Sequence, residues 1–141
     1  MKVTVSRKDD AFHLESTTED GHQAYTDGSV EIGGHNLAMR PMQMVLSALG
    51  SCSLIDVILL LKKQRQSLQH VEVSLEAERR DTAPRIFTKI HLTYHCWGTL
   101  ETDKVARACR LSMEKMCSVS LMLKPGVDIS WDYEIHPPKE D

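Results

Sequence analysis

Hydrophobic and polar positions divide the chain into short alternating stretches around one long apolar segment. From Arg40 to Lys63 apolar side chains fall on almost every face of a helical projection, and from Leu54 to Leu61 only Asp56 is polar. A surface helix carries one apolar stripe, whereas a helix that is apolar all round is covered on several sides. Pro41 suits a first helical position, and Lys62, Lys63 and Arg65 suit the C-terminal end, where the helix dipole favours positive charge. One helix is therefore expected over 40–63, with a sheet on one side and a second protomer on the other. Gly50-Ser51 is an expected interruption that would set Cys52 near a fresh helix N-terminus.

Before the helix, Val3–Ser6, Phe12–Ser16 and Gln23–Thr26 read as strands separated by polar turns, and Ser29–Ile32 as a continuation of the meander. After it, Val71, Val73, Leu75 and Ala77 alternate with polar residues, the period of a half-buried strand. The next strand places Ile86, Thr88, Ile90, Leu92, Tyr94 and Cys96 on an inner face, opposite Lys89, His91, Thr93 and His95, and ends at Gly98. A helix from about Asp103, with Thr102 or Asp103 as N-cap, carries Val105, Ala108, Cys109, Ser112, Met113 and Met116 on one face. A short helix over 117–123 stops at Pro125-Gly126, and Val127, Ile129, Trp131, Tyr133 and Ile135 alternate along a last strand. The order is β-β-β-α-β-β-α-α-β, an α+β architecture of helices on antiparallel sheet, in a single domain over residues 1–141.

Composition changes this picture little. A chain of 141 residues with 41% hydrophobic and 26% charged content is ordinary for a globular domain. Its formal charge of −3 argues against broad electrostatic binding to nucleic acid. The longest uninterrupted apolar run falls short of the roughly 20 residues of a membrane span. The first residues alternate like a strand and contain no signal-peptide apolar region, so a cytoplasmic location is expected. There Cys52, Cys96, Cys109 and Cys117 are thiols by default, and no Cys-x-x-Cys pair supports a zinc ribbon or thioredoxin-type motif.

Cys52 and Cys117 stand out as candidates for chemistry. Both fall in apolar helices close to helix starts, where a thiolate is favoured. Asp56, one turn after Cys52, opposes that effect. The alternative is that both are small buried hydrophobes, as most free cysteines are. Cys96 and Cys109 read as core. His91 and His95 share a strand face but stand roughly 13 Å apart along it, too far to hold one metal. His13, His22, His35 and His70 are scattered through strands, turns and loops, so no metal site and no cofactor is expected. No phosphate loop and no Gly-x-Ser-x-Gly elbow is present.

The stretches Pro41-Met42-Gln43-Met44-Val45-Leu46-Ser47-Ala48-Leu49-Gly50-Ser51-Cys52 and Glu114-Lys115-Met116-Cys117-Ser118-Val119 resemble the OsmC/Ohr family, named for osmotically inducible protein C and organic hydroperoxide resistance protein. Gly50-Ser51-Cys52-Ser53-Leu54-Ile55-Asp56-Val57 matches the Gly-x-Cys-x-x-Asp-Val pattern of its OsmC-like branch. The resemblance implies antiparallel sheets packed around a long central helix in an intertwined homodimer. It implies a thiol-dependent peroxidase of organic hydroperoxides, with Cys52 peroxidatic and Cys117 resolving, recycled by a dithiol or lipoyl reductant. From the net charge and the short apolar run, no nucleic-acid or membrane partner is expected. Active members carry a glutamate after the helix-leading proline that holds an arginine over the thiolate. Here Met42 stands at that position and Gln43 follows. Arg7, from the N-terminal sheet, and Arg40, roughly 18 Å before Cys52 along a helix, are the candidate arginines. On the same scaffold, a non-catalytic protein that binds a small apolar ligand among Met42, Met44, Met113, Met116 and Met122, or one that senses redox state, is the alternative.

Overall fold

The computed structural model describes residues 1–140 and divides into two compact units, Met1–Ser47 and the chain from Ala48 onward. In the first unit, β1 (Val3–Arg7), β2 (Leu14–Thr18) and β3 (Gln23–Thr26) form an antiparallel sheet in sequential order. The expected strand over Phe12–Ser16 starts at Leu14 because Asp9 Oδ1 accepts the Ala11 and His13 amides, closing the turn that joins β1 to β2. The expected fourth strand at Ser29–Ile32 is instead a single 3-10 turn, Val30–Ile32. Asp27 explains the difference. Its buried carboxylate accepts the amides of Gly28, His35 and Leu37, drawing 28–37 into a closed loop with no edge to pair.

Helix α1 (Pro41–Lys63) runs without a break. Gly50-Ser51 does not interrupt it, which removes the expected helix start beside Cys52. Gly50 is a packing residue: a Cβ there would lie 2.9 Å from Leu75 Cδ1 and 3.3 Å from Val73 Cγ1, so the helix rests directly on a strand. The helix ends with Arg65 in the left-handed region (φ 57°), where the Arg65 and Gln66 amides reach the carbonyls of Lys62 and Leu61. These two bonds make a Schellman motif, with arginine where glycine is usual.

From Ala48 onward, β4 (Ser67–Arg79), β5 (Phe87–Thr99) and β6 (Asp128–His136) form a sheet with β5 in the centre. β4 pairs antiparallel with β5, as expected, but β6 runs parallel to β5. A parallel return needs a long crossover, and α2 (Thr102–Leu111), a π-helical turn (Ser112–Met116) and α3 (Ser118–Leu123) supply it. α2 starts one residue earlier than expected. Thr102 is already helical, and the preceding Glu101 makes no side-chain cap because its carboxylate accepts Gln66 Nε2.

The inner face of β5 is also shorter than expected. Ile90, Leu92, Tyr94 and Cys96 are buried, but Ile86 and Thr88 are exposed and Phe87 is buried instead. An irregularity pairs Glu78 with Lys89 and Arg79 with Phe87, leaving Thr88 unpaired, and one extra residue moves side chains to the opposite face. β5 continues through Gly98, whose φ of 146° lets its backbone approach the Ser67 carbonyl.

Against this sheet α1 buries Leu49, Gly50, Ser53, Val57 and Leu61. Each fully buried leucine or valine contributes about 2 kcal/mol. The helix is apolar all round, and here only that stripe is covered: Ile55, Ile58 and Leu59 remain exposed. By length and composition α1 is the one helix among the described residues that could cross a membrane, a test that core helices also pass. Helix α2 buries Val105, Ala108 and Cys109, and the π turn Ser112 and Met113, while Met116, expected on the same face, is exposed. The wider π turn accounts for that: its i→i+5 bonding rotates the residues after Ser112 away from the α2 stripe.

Candidate functional site

Two thiols meet where the second unit joins its helices. Cys52 projects from the flank of the buried α1 stripe and is half-buried. Cys117 is fully buried and lies between the π turn and α3, with φ −72° and ψ 108°. The π turn sets that position, since the Cys117 amide donates to the Ser112 carbonyl five residues back at 2.8 Å. π-helical turns inside helices are often found at functional sites. Cys117 Sγ accepts the Ser120 amide at 3.4 Å, capping α3. The Cys117 thiol has Cys52 as a near neighbour. All four cysteines are free thiols.

Burial pushes the Cys117 thiol up to about 11, offset partly by the Ser120 amide and reinforced by Cys52 and the negative charge of Asp56. Cys117 is thus a protonated thiol at neutral pH, with Cys52 beside it. Burial also raises Cys96 to about 11 and Cys109 to about 12. Both are inert core thiols, as the sequence indicated. Cys52 alone among the four is reachable from solvent.

Beneath Cys52 lies a buried hydroxyl network. Ser53 Oγ is hydrogen-bonded to the Tyr94 hydroxyl and, at 2.8 Å, to Ser112 Oγ. Ser112 Oγ in turn lies 3.0 Å from Asp56 Oδ2. Burial drives the Tyr94 hydroxyl well above the usual phenol value, so it stays neutral. The network ties α1, β5 and the π turn together, and so fixes the two cysteine-bearing elements against each other. Sequence reading placed Tyr94 and Ser112 on inner faces without seeing that they needed each other. The available signal was Ser53, a polar residue in the buried stripe of an apolar helix, which must find partners.

The sequence model of OsmC-like proteins matches residues 34–132, which include both cysteines and the whole of α1. The chain belongs to the OsmC family. Protein YhfA of Escherichia coli strain K12 is 47% identical over 116 residues, covering 82% of this chain and 84% of that protein. A crystal structure of a hypothetical protein from Aquifex aeolicus VF5 is 30% identical, with a TM-score of 0.85 over 98% of this chain and 97% of that one. An organic hydroperoxide resistance protein OsmC from Legionella pneumophila shares the fold at 20% identity, with a TM-score of 0.70 over 95% and 97% of the two chains.

The remaining candidate residues of this OsmC protein lie in the first unit, each with local work. Arg7 Nε donates to the Ala11 carbonyl at 2.8 Å and its Nη2 to the Asp10 carbonyl, closing the β1–β2 turn. Arg40 donates to the Ala38 carbonyl and to Asn36 Oδ1, both at 3.0 Å. Gln43 Oε1 accepts the Arg40 amide at 2.9 Å, the reach of an N3 side chain back to the N-cap that makes half of a capping box. Met42, an apolar residue, therefore stands beside a glutamine used to start α1.

Proposed function

We propose that this OsmC protein is a thiol peroxidase that reduces organic hydroperoxides in the cytoplasm. The observation that carries the reading is a half-buried Cys52 with a buried, protonated Cys117 as its near neighbour. In the first step the Cys52 thiolate attacks the distal hydroperoxide oxygen. The O–O bond breaks, the leaving alkoxide takes a proton to give the alcohol, and Cys52 becomes a sulfenic acid. In the second step the Cys117 sulfur attacks the sulfenic sulfur, water leaves, and a Cys52–Cys117 disulfide forms, the reversible branch of cysteine oxidation. A dithiol, lipoyl in the simplest case, then exchanges with the disulfide and restores both thiols as it is oxidised.

The nearness of the two thiols favours their pairing in the resolving step, and burial of Cys117 keeps it from reacting with peroxide first. The exposed apolar face of α1, with Ile55, Ile58 and Leu59, supports assembly as a homodimer around this helix. The name of the Legionella pneumophila neighbour, an organic hydroperoxide resistance protein, supports the substrate class. The test is consumption of an alkyl hydroperoxide with dihydrolipoamide as reductant. Cys52→Ser abolishes turnover, and Cys117→Ser loses sustained turnover while still reacting once. Equal rates in wild type and both variants would contradict the proposal.

A further inference from the structure

On the opposite face of the β4–β5–β6 sheet, the parallel register sets His95 beside Glu134 and Trp97 beside His136. Three donor atoms converge there: His95 Nδ1 lies 3.0 Å from His136 Nε2 and 3.4 Å from Glu134 Oε2, which is 3.8 Å from His136 Nε2. Residue-by-residue reading along β5 missed this cluster. It compared His91 with His95 on one strand, whereas the pairing with β6 brings His136 and Glu134 from the far end of the chain.

We infer that His95, Glu134 and His136 bind one zinc(II) ion per chain, with a fourth position open to water. Two neutral imidazoles and a carboxylate are a recurrent three-ligand zinc set with an open site. Ligands about 2.05 Å from a tetrahedral zinc stand about 3.3 Å from one another, and the three separations bracket that value. A cation satisfies all three lone pairs together. The site is reachable, since the Glu134 side chain is 59% exposed, while the imidazoles are half-buried and held. Trp97 stacks on His136 with centroids 4.6 Å apart and lies 6.2 Å from His95, so the indole backs both rings. Such fixed orientation lowers the ordering cost of coordination. Zinc bound here staples β6 to β5 across the parallel ladder.

The experiment is calorimetric titration of zinc(II) into the reduced full chain without a polyhistidine tag, repeated on a Cys52→Ser/Cys117→Ser background so that thiols are removed as ligands. Expected are one saturable site per chain in both proteins and a concentration-dependent rise in Tm, because zinc binds the folded state. His95→Ala and His136→Ala weaken binding by about 100-fold or more, and Glu134→Gln by about tenfold, with unchanged circular dichroism in the absence of metal. Absence of saturable binding, binding unaffected by the histidine variants, or binding lost with the two cysteines would each overturn the assignment. None of these results depends on peroxidase activity.

Discussion

Ser53→Ala is the substitution that most sharply probes how the site is built. Ser53 Oγ holds the Tyr94 hydroxyl and Ser112 Oγ, and all three side chains are buried. Two hydrogen bonds are lost, each worth about 1 kcal/mol net, and the Tyr94 hydroxyl is left buried without its partner at a further cost of about 1 kcal/mol or more. Ser112 is spared because it keeps Asp56. The expected loss is therefore about 3 kcal/mol. Tyr94→Phe removes one bond and leaves Ser53 paired with Ser112, for about 1 kcal/mol. In the double variant there is no stranded hydroxyl, so the total is about 2 kcal/mol rather than the additive 4. Urea unfolding of the four proteins at one fixed concentration measures this, concentration being held because assembly contributes to stability. Strict additivity would refute the claim that the two hydroxyls depend on each other.

Other consequences follow from groups whose protonation or backbone state differs on folding. Cys96, Cys109 and Cys117 are raised to about 11, 12 and 11 in the folded chain, against about 8.5 unfolded. The stability they contribute is complete below about pH 8.5 and is lost as pH rises through their folded values, so the urea midpoint falls steadily over that alkaline window. Cys96→Ala makes the fall shallower, and identical slopes would refute the assignment. Asp27 is held below the usual carboxylate value, chiefly by the Leu37 amide. Its contribution is present above the unfolded value near 3.9 and is lost as pH falls through the lowered folded one. Asp27→Asn therefore lowers Tm at neutral pH, and the gap from wild type closes in acid; a gap independent of pH would count against it. Arg65→Gly removes a left-handed arginine at the end of α1, and thermal melts should show stabilisation of about 0.5–1 kcal/mol; a loss of stability would show that the arginine side chain matters more than its backbone.

Much of the fold was legible because its signals are local. The apolar helix from Pro41 to Lys63, the alternation in β4 and β6, and the α2 stripe of Val105, Ala108 and Cys109 all follow from periodicity. What escaped depends on pairing between distant residues. The unpaired Thr88 moves Phe87 inward, and no single strand shows that in its own sequence. The parallel return of β6 depends on the path of the crossover, and with it comes the meeting of His95 and His136. Gly50 looked like a break because glycine weakens helices, yet its lack of a side chain is what lets α1 sit on Leu75. The two cysteines were visible through family resemblance, but their nearness and the hydroxyl network beneath them exist only once α1, β5 and the π turn are packed.

The central claim is that Cys52 and Cys117 form a peroxide-driven redox pair. Intact-mass and peptide analysis after one equivalent of alkyl hydroperoxide tests it most directly. Wild type is expected to lose two hydrogens as a Cys52–Cys117 disulfide, with one equivalent of alcohol formed. Cys117→Ser instead gains one oxygen at Cys52, trapped as a sulfenic acid by a dimedone-type reagent. An unchanged mass with the hydroperoxide intact, or oxidation first at Cys117, would contradict it.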